Sequence, residues 1–344
     1  MEPHWSSVSK LERLLKLGNL VEDALEKYLL IDADPEFREA VLYPVRSGGK
    51  RLRPALTIAS SIAVGGRVED ALPAAAAVEL AHNYSLIFDD IIDHSEVRRG
   101  QPTLWKKYGI TTAILVAVHY RESISQAIGD TRDPKRFEAI MARTLKLLVE
   151  GERLDVLFEQ AGRLDEPYVV ENRRRAVTVN DYLDMVYKKT GALIETSCVF
   201  GALSGGAAED AVRALGEYGR NLGLAFQIGD DIIDIFGREE KTGKKVGKDV
   251  EEHKLGNIVV LLALEELAGR EKEELLGILR SERVSPEQVR RAVELISSTR
   301  ARERAEEMRR LYSANAVKAI ELLPENEGKE MLRDLAGFVS FREF

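Results

Sequence analysis

The sequence contains a single cysteine, Cys198, among its 344 residues. One cysteine excludes an internal disulfide and is consistent with a reducing compartment, so we expect a cytoplasmic protein. The longest uninterrupted apolar stretch covers only residues 258–264, and no basic segment followed by an apolar one stands near Met1. We therefore expect neither a standard secretion signal nor a transmembrane segment.

The sequence also lacks an excess of positive charge, because 50 Lys and Arg stand against 58 Asp and Glu, for a net charge of −8. A protein that binds nucleic acid through phosphate contacts normally carries more Lys and Arg than Asp and Glu. We therefore expect no nucleic-acid partner. Any anionic ligand must instead meet a local cluster of cations.

The sequence also lacks long segments in which apolar and polar residues alternate, the pattern typical of β-strands. Apolar residues recur instead at the three- and four-residue spacing of amphipathic helices. This spacing predicts helices over residues 11–30, 71–92, 111–128, 134–160, 181–203, 211–236 and 258–267. We therefore predict an all-α fold in which residues 1–344 form a single large helical bundle and a single domain.

Two identical aspartate-rich segments dominate the sequence. Residues 89–93 and 230–234 both read Asp-Asp-Ile-Ile-Asp, and we call them the first and second aspartate motifs. On a helix, residues four apart share a face, so each motif brings three mutually repelling carboxylates together. Mg²⁺ suits such oxygen ligands, and water and substrate phosphates usually complete its coordination. The metal ligands that we predict are Asp89, Asp90, Asp93, Asp230, Asp231 and Asp234.

A solvated acidic helix face is the alternative for either motif alone. The verbatim repeat favours the metal site, with the two motifs facing each other across a diphosphate. Short basic segments lie near both motifs, and Arg and Lys are the usual partners of phosphate oxygens. These cations are Lys50, Arg53, Arg98, Arg99, Lys189, Lys244 and Lys254.

Acidic motifs, basic segments and long apolar helices fit a ligand with an anionic head and a hydrophobic tail. With metal ions and cations around a diphosphate, the available reaction is departure of that diphosphate from a carbon skeleton. The resulting carbocation needs an apolar pocket that excludes water. His82 lies seven residues before Asp89, on the same predicted helix face.

These residues together resemble the trans-prenyltransferases, also called polyprenyl diphosphate synthases, from about Gly48 to Asn257. Gly-Gly-Lys-Arg-Leu-Arg-Pro at residues 48–54 resembles the family's isopentenyl diphosphate loop. Residues 89–93 with the Arg-Arg-Gly-Gln-Pro-Thr segment at 98–103 resemble its first aspartate-rich region. The rest of the active site is matched by Lys189-Thr190, by Phe226-Gln227 before the second motif, and by Lys244 and Lys254.

The resemblance implies an all-helical fold around a central cavity, usually dimeric, that binds three Mg²⁺. It also implies head-to-tail condensation of isopentenyl diphosphate with an allylic prenyl diphosphate, in which the departing diphosphate takes the final proton. Isopentenyl diphosphate would be held by Lys50, Arg53, His82 and Arg99. The allylic diphosphate would be held by Arg98, Lys189, Thr190, Gln227, Lys244 and Lys254, with metals on Asp89, Asp93 and Asp230. The catalytic set is then Asp89, Asp93, Asp230, Lys189 and Gln227.

Product length is expected to depend on the helix that leads into the first motif. Ser85 lies four residues before Asp89 and is small, so it leaves room for a growing chain. Tyr84 lies on a neighbouring face, and in the family an aromatic residue at this place often ends growth at the C20 stage. The resemblance therefore implies geranylgeranyl diphosphate as the main product, with farnesyl or longer chains as alternatives.

Three positions depart from the family pattern: His119, Glu152 and Asn257 replace an acidic residue, a glutamine and a Thr-containing segment. They leave open a second hypothesis, a catalytically weak regulatory subunit of a heteromeric prenyltransferase. A terpene cyclase is a third, but it does not need the second diphosphate site that residues 48–54 and Arg99 provide.

Overall fold

The computed structural model describes residues 5–237 and 246–341. The chain forms two compact units, which we describe separately: unit 1 comprises residues 1–148, 192–220 and 316–338, and unit 2 comprises residues 149–191, 221–315 and 339–344. The prediction of a single domain over 1–344 stays a prediction.

The prediction of an all-α fold is confirmed. Up to the first motif the helices are α1 Trp5–Gly18, α2 Glu22–Leu30, α3 Arg38–Arg46, α4 Leu52–Ala63 and α5 Val68–Ile92. Then follow α6 Leu104–Tyr108, α7 Ile110–Gly129, α8 Pro134–Phe158, α9 Pro167–Asn172, α10 Val179–Val186, α11 Ala192–Ser204 and α12 Glu209–Phe236. The last are α13 Lys248–Glu251, α14 Ile258–Glu266, α15 Gly269–Leu279, α16 Pro286–Ser297, α17 Ala301–Ala319 and α18 Glu327–Phe341. None of the helices in these ranges is long and apolar enough to cross a bilayer.

In unit 1, α5 is the central element, and it packs against α4, α7 and α11. Its alanines at 74, 75, 76 and 77 are fully buried, and such small side chains let neighbouring helices approach closely. Gly201 of α11 makes a similar approach to α4, because a Cβ there would lie 2.0 Å from the carbonyl oxygen of Thr57. This packing fixes the end of α5, where the first motif lies.

In unit 2, the apolar residues of α14 form the centre of the core. Residues 258–264 are all buried, and they belong to one cluster with Phe158, Tyr182, Ile228 and Leu275. Ile228 precedes the second aspartate motif on α12, so the core anchors the helix that carries that motif.

Three features differ from the predicted helices. The helix predicted over 181–203 is interrupted by a π-helical segment, Tyr187–Gly191. The helix predicted over 11–30 is interrupted by a 3₁₀ turn, Asn19–Val21, directly after Gly18. Gly18 lies so close to the next segment that a Cβ would sit 2.3 Å from the Arg51 carbonyl oxygen. A two-stranded hairpin, β1 Val97–Arg98 and β2 Gln101–Pro102, follows the first motif and was not predicted, because two-residue strands leave no periodic pattern.

Candidate active site

The first aspartate motif lies at the carboxyl end of α5, as predicted. Asp89 and Asp90 belong to the last turn, and Asp93 is the C-cap residue, whose N–H donates to the carbonyl oxygen of Asp89 at 2.8 Å. Asp90 is buried, whereas Asp89 and Asp93 are partly exposed. The motif therefore presents two accessible carboxylates on one helix end and keeps the third inside the protein.

The buried carboxylate of Asp90 is paired with Arg98. Both Nε and Nη2 of Arg98 lie 2.8 Å from Asp90 Oδ1. Burial raises the pKa of Asp90, and Arg98 offsets part of that effect. Arg98, which the family resemblance assigns to the allylic diphosphate, is thus also a structural partner of the motif.

The hairpin after the motif presents Arg99. Arg98 pairs with Gln101, so the turn consists of Arg99 and Gly100, and both have positive φ, 54° and 74°. Two such residues are typical of the type I′ turn that suits the twist of a hairpin. The Arg99 guanidinium reaches the glycine loop, where its Nη1 donates to the Gly48 carbonyl oxygen. A Cβ on Gly49 would lie 2.9 Å from Arg99 Nη1, so glycine leaves room for the guanidinium in this position.

Arg53, His82 and Arg99 form a cationic cluster in unit 1. Burial, together with the charges of Arg53 and Arg99, lowers the pKa of His82 well below its ordinary value. The imidazole is therefore neutral at neutral pH and can donate one hydrogen bond without adding charge. The Nε of Arg53 is buried and has no hydrogen-bond partner among the described residues. A buried, unsatisfied guanidinium donor is costly, and an anion placed there would satisfy it.

Arg51 has a structural role that the sequence did not indicate. Its Nη1 lies 3.0 Å from Glu79 Oε1, its Nε lies 2.7 Å from Glu22 Oε1, and its Nη2 donates to the Val45 carbonyl oxygen at 2.6 Å. Burial raises the pKa of Glu79, and Arg51 compensates the charge of its carboxylate. This network anchors the start of α4 and so fixes Arg53 two residues later. Lys50, in contrast, is exposed.

The second aspartate motif lies near the carboxyl end of α12. Asp231 is buried and accepts hydrogen bonds from Gln227 Nε2 and from the N–H of Ile258, both at 3.0 Å. Asp234 accepts one from the N–H of Asp249 at 3.1 Å. Burial and the charge of Asp249 raise the pKa of Asp231 well above its ordinary value and that of Asp234 to about 8. Burial and Asp249 thus favour the protonated forms of both carboxyl groups.

Asn257, one of the three departures from the family pattern, supports this motif. Its Nδ2 donates to Asp249 Oδ2 at 2.8 Å. Its Oδ1 caps α14 by accepting from the N–H groups of Val259 and Val260 at 2.9 and 3.3 Å. The asparagine thus has a defined structural use at this position.

Lys189 and Thr190 lie on a π-helical segment, Tyr187–Gly191, between α10 and α11. Lys189 Nζ lies 2.5 Å from Asp155 Oδ2 and 2.7 Å from Glu152 Oε2. Thr190 Oγ1 donates to Gln227 Oε1 at 3.1 Å. Two predicted ligands of one diphosphate, Thr190 and Gln227, therefore touch each other.

Lys254 also lies near Asp155, with its Nζ 3.5 Å from Oδ2, and it pairs with Glu252 at 3.1 Å. Burial alone would raise the pKa of Asp155, but Lys189 and Lys254 together hold it well below its ordinary value. The Asp155 carboxyl group is therefore ionised at neutral pH, between the two lysines. Lys244 lies outside the described residues.

His119, another departure, contacts the end of α2. Its Nε2 lies 2.8 Å from the carbonyl oxygen of Leu29, and its ring meets that of Phe37 edge-on, with centroids 6.2 Å apart. The imidazole therefore connects α7 to the carboxyl end of α2 and to Phe37.

The predicted site residues fall into two clusters. The first cluster, in unit 1, contains Lys50, Arg53, His82, Tyr84, Ser85, Asp89, Asp90, Asp93, Arg98 and Arg99. The second cluster, in unit 2, contains Lys189, Thr190, Gln227, Asp230, Asp231, Asp234 and Lys254. Within the part of the chain that the structure describes, no three Asp, Glu, His or Cys side chains converge into a ready-made metal site.

Comparison with known proteins gives a consistent result. Residues 34–296 match the family model described as polyprenyl synthetase. A short chain isoprenyl diphosphate synthase of Methanothermobacter thermautotrophicus is 37% identical over 338 residues, which cover 94% of this chain and 99% of that protein.

Solved structures show the same similarity in three dimensions. The geranylgeranyl pyrophosphate synthetase of Pyrococcus horikoshii superposes with a TM-score of 0.87 at 30% identity, covering 97% of this chain and 99% of that one. A polyprenyl synthase of Caulobacter crescentus, in complex with calcium and isoprenyl diphosphate, gives a TM-score of 0.84 at 28% identity, covering 96% and 98%.

Proposed function

The chain belongs to the polyprenyl synthetase family and is a trans-prenyltransferase, and from this premise we propose how its residues condense isopentenyl diphosphate with an allylic prenyl diphosphate. The observation that carries the proposal is the pair of identical aspartate motifs, each at a helix end and each accompanied by cations. The proposed main product is geranylgeranyl diphosphate, C20.

The first cluster is proposed to bind isopentenyl diphosphate. Arg53 offers a buried Nε that lacks a partner among the described residues, and Arg99 offers a guanidinium at the tip of a two-residue turn. Neutral His82 can donate a hydrogen bond to a phosphate oxygen, and Lys50 adds a positive charge from the exposed loop. Guanidinium groups are well suited to hold two phosphate oxygens at once.

The aspartate motifs fit Mg²⁺, because both offer only carboxylate oxygens. Asp89, Asp93 and Asp230 are proposed as direct ligands, and three ions per active site are proposed from the family. Asp90, Asp231 and Asp234 are buried or hydrogen-bonded, so they are proposed to support the ligands. When bound, the metal neutralises charge that develops on the departing diphosphate.

The second cluster is proposed to bind the allylic diphosphate. Lys189, Thr190, Gln227 and Lys254 are its ligands in this chain, with Arg98 from the first cluster and Lys244 assigned by resemblance alone. Both lysines lie beside the Asp155 carboxylate, from which their ammonium groups can turn to a phosphate oxygen. Fixed charges of this kind stabilise a leaving diphosphate because they need little reorganisation.

Product length is proposed to be set by Tyr84, with Ser85 leaving space beside it. The Tyr84 ring packs edge-on against Phe88, one turn nearer the motif, with centroids 5.2 Å apart. Ser85 donates its hydroxyl proton to the His82 carbonyl oxygen at 3.0 Å, so this small residue also has its polar group satisfied. An edge-on aromatic contact is favourable, so Phe88 stabilises the position of the Tyr84 ring.

A homodimer in the cytoplasm is proposed as the functional state. Four large apolar residues of α7 are exposed in the single chain: Ile110 by 53%, Ile114 by 43%, Leu115 by 56% and Val118 by 53%. Such a stripe favours burial against a second copy.

The mass in solution, measured by analytical ultracentrifugation, tests this interface. The double variant Leu115→Glu/Val118→Glu should be a monomer, while Leu322→Glu, at a residue exposed by 99%, should remain a dimer. A dimer in both variants would contradict the proposed interface.

The test of the activity is incubation with isopentenyl diphosphate, Mg²⁺ and, separately, dimethylallyl, geranyl or farnesyl diphosphate, followed by measurement of product length. Formation of C20 diphosphate that stops when the metal is chelated supports the proposal. A product only in the presence of a second, different subunit would support the regulatory hypothesis. Cyclic hydrocarbon products would support a cyclase.

A further inference from the structure

The π-helical segment Tyr187–Gly191 is an unusual support for two substrate ligands. A π turn closes i→i+5 hydrogen bonds and accommodates one extra residue, is rare, and occurs mostly at functional sites. Its sequence, Tyr-Lys-Lys-Thr-Gly, contains nothing that favours this geometry over a regular helix. The cause of the turn lies in its packing.

Two glycines on two different helices contact the backbone of this segment. A Cβ on Gly151 of α8 would lie 2.2 Å from the Lys189 nitrogen and 2.6 Å from its Cα. A Cβ on Gly223 of α12 would lie 2.7 Å from the Cα of Gly191. Atoms cannot come so close, and the contacts are with main chain that no rotamer change can move. Only glycine therefore allows both helices to approach the segment in this way.

Each glycine also stands one helical turn before a residue that holds a polar side chain of the segment. Gly151 precedes Asp155, whose carboxylate contacts Lys189 Nζ at 2.5 Å. Gly223 precedes Gln227, whose Oε1 accepts from Thr190 at 3.1 Å. Residues four apart on a helix share a face, so on both helices the close backbone contact and the side-chain contact form one continuous surface.

We propose that Gly151 and Gly223 are positioning residues of a glycine clamp, which fixes the π segment so that Lys189 and Thr190 point to the allylic diphosphate. The inference rests on the proposed role of Lys189 and adds two residues that touch no substrate. The clamp acts through backbone distance: a methyl group on either helix displaces the segment and moves both ligands away from Asp155 and Gln227.

The test compares Gly151→Ala and Gly223→Ala with two control variants. Gly277→Ala lies on α15 with nothing within 4 Å, and Gly328→Ala, on α18 of unit 1, makes a similarly severe backbone clash, 2.3 Å from the Ala63 nitrogen. The Michaelis constants of both substrates, kcat and the melting temperature are measured for each. Both clamp variants should raise the Michaelis constant of the allylic substrate at least about tenfold, since a displacement near 1 Å can cost about 100-fold. The constant for isopentenyl diphosphate should stay unchanged.

Gly328→Ala should lower the melting temperature without this selective effect, and Gly277→Ala should change neither. If Gly151→Ala does not fold, Gly223→Ala carries the test, because its clash is the milder of the two. A crystal structure of the folded variant should show residues 187–191 displaced and Lys189 Nζ separated from Asp155.

Lys189→Ala distinguishes an error in the proposed role of Lys189 from an error in the proposed glycine clamp. If it leaves the allylic Michaelis constant unchanged, the proposed role of Lys189 is wrong. If it raises that constant while a folded clamp variant does not, the clamp is wrong. An unmoved segment in the crystal structure of that variant would also overturn the clamp.

Discussion

Lys189 Nζ lies 2.7 Å from Glu152 Oε2. Glu152 stands where the family pattern has a neutral glutamine. Asp155 already provides Lys189 with a carboxylate at 2.5 Å, so Glu152 adds a second negative charge beside a proposed diphosphate ligand. Only 13% of the Glu152 side chain is exposed, and water therefore screens this charge little. Glu152 therefore affects the binding of a charged substrate. His119 and Asn257, the other two departures, make structural contacts instead.

Replacement of Glu152 by glutamine should tighten binding of the allylic substrate. Removing one carboxylate lowers the repulsion on a diphosphate and frees Lys189, an effect of about 1 kcal/mol, or roughly fivefold in the Michaelis constant. Steady-state kinetics with the allylic substrate varied measures it. Glu150→Gln is the matched control, because Glu150 lies on the same helix but pairs with Arg153 at the surface. An unchanged or higher constant in Glu152→Gln would contradict the argument.

Replacement of Asp89 or Asp230 by asparagine should lower kcat about 100-fold or more, since metal stabilisation of a leaving group is worth several kcal/mol. The helical circular dichroism should be unchanged, because both side chains are only partly buried. Asp165→Asn, in an exposed loop, is the control. Normal turnover in Asp89→Asn would disprove the assignment of the first motif.

The residues that the sequence identified are those whose role depends on local spacing. Both motifs follow from the i, i+4 geometry of a helix, and the long helices follow from their apolar periodicity. Arg51 is different, because nothing in the loop sequence indicates its structural partners. Only the fold places Glu79, 28 residues away, beside Arg51 and leaves Arg53 Nε without a partner among the described residues.

The π segment and the hairpin could not be predicted for a related reason. A π turn is stabilised by tertiary packing at Gly151 and Gly223, and glycine in a helical pattern carries no specific signal. The hairpin depends on Arg99 adopting a left-handed conformation that a non-glycine residue rarely takes. In the π segment and in the hairpin, contacts between residues distant in sequence override the local conformational preference of the backbone. Both segments carry proposed substrate ligands.

Replacement of Arg99 by alanine should raise the Michaelis constant of isopentenyl diphosphate and leave that of the allylic substrate unchanged. Loss of a charged hydrogen bond to phosphate costs about 1.5–3 kcal/mol, which is roughly 10- to 150-fold. Kinetics with each substrate varied in turn measure the effect. Arg99→Lys should restore part of the affinity, because it keeps the charge but not the paired donors. A selective effect on the allylic substrate would mean that the two sites are assigned wrongly.

Replacement of His119 by aspartate should lower stability more than activity. The Nε2 contact with the Leu29 carbonyl oxygen at 2.8 Å would become a contact between two acceptors, at a cost of about 1–3 kcal/mol. Thermal unfolding and turnover are measured together, with His119→Asn as the control that can still donate a hydrogen bond. A rise in activity of several orders of magnitude would instead support the regulatory-subunit hypothesis.

Replacement of Tyr84 by alanine should lengthen the product. Tyr84 lies five residues before Asp89, about 7 to 8 Å along the helix axis, and is therefore placed to meet the tail of the substrate rather than its reacting carbons. Its ring is held edge-on to Phe88, which limits its movement when a chain presses against it. Deleting the ring opens space below the motif, so chains beyond C20 should appear in the product analysis. Tyr84→Phe keeps the ring and should leave the C20 limit unchanged. If Tyr84→Ala is folded and active but its longest product is still C20, the limit must be set by a residue farther from Asp89.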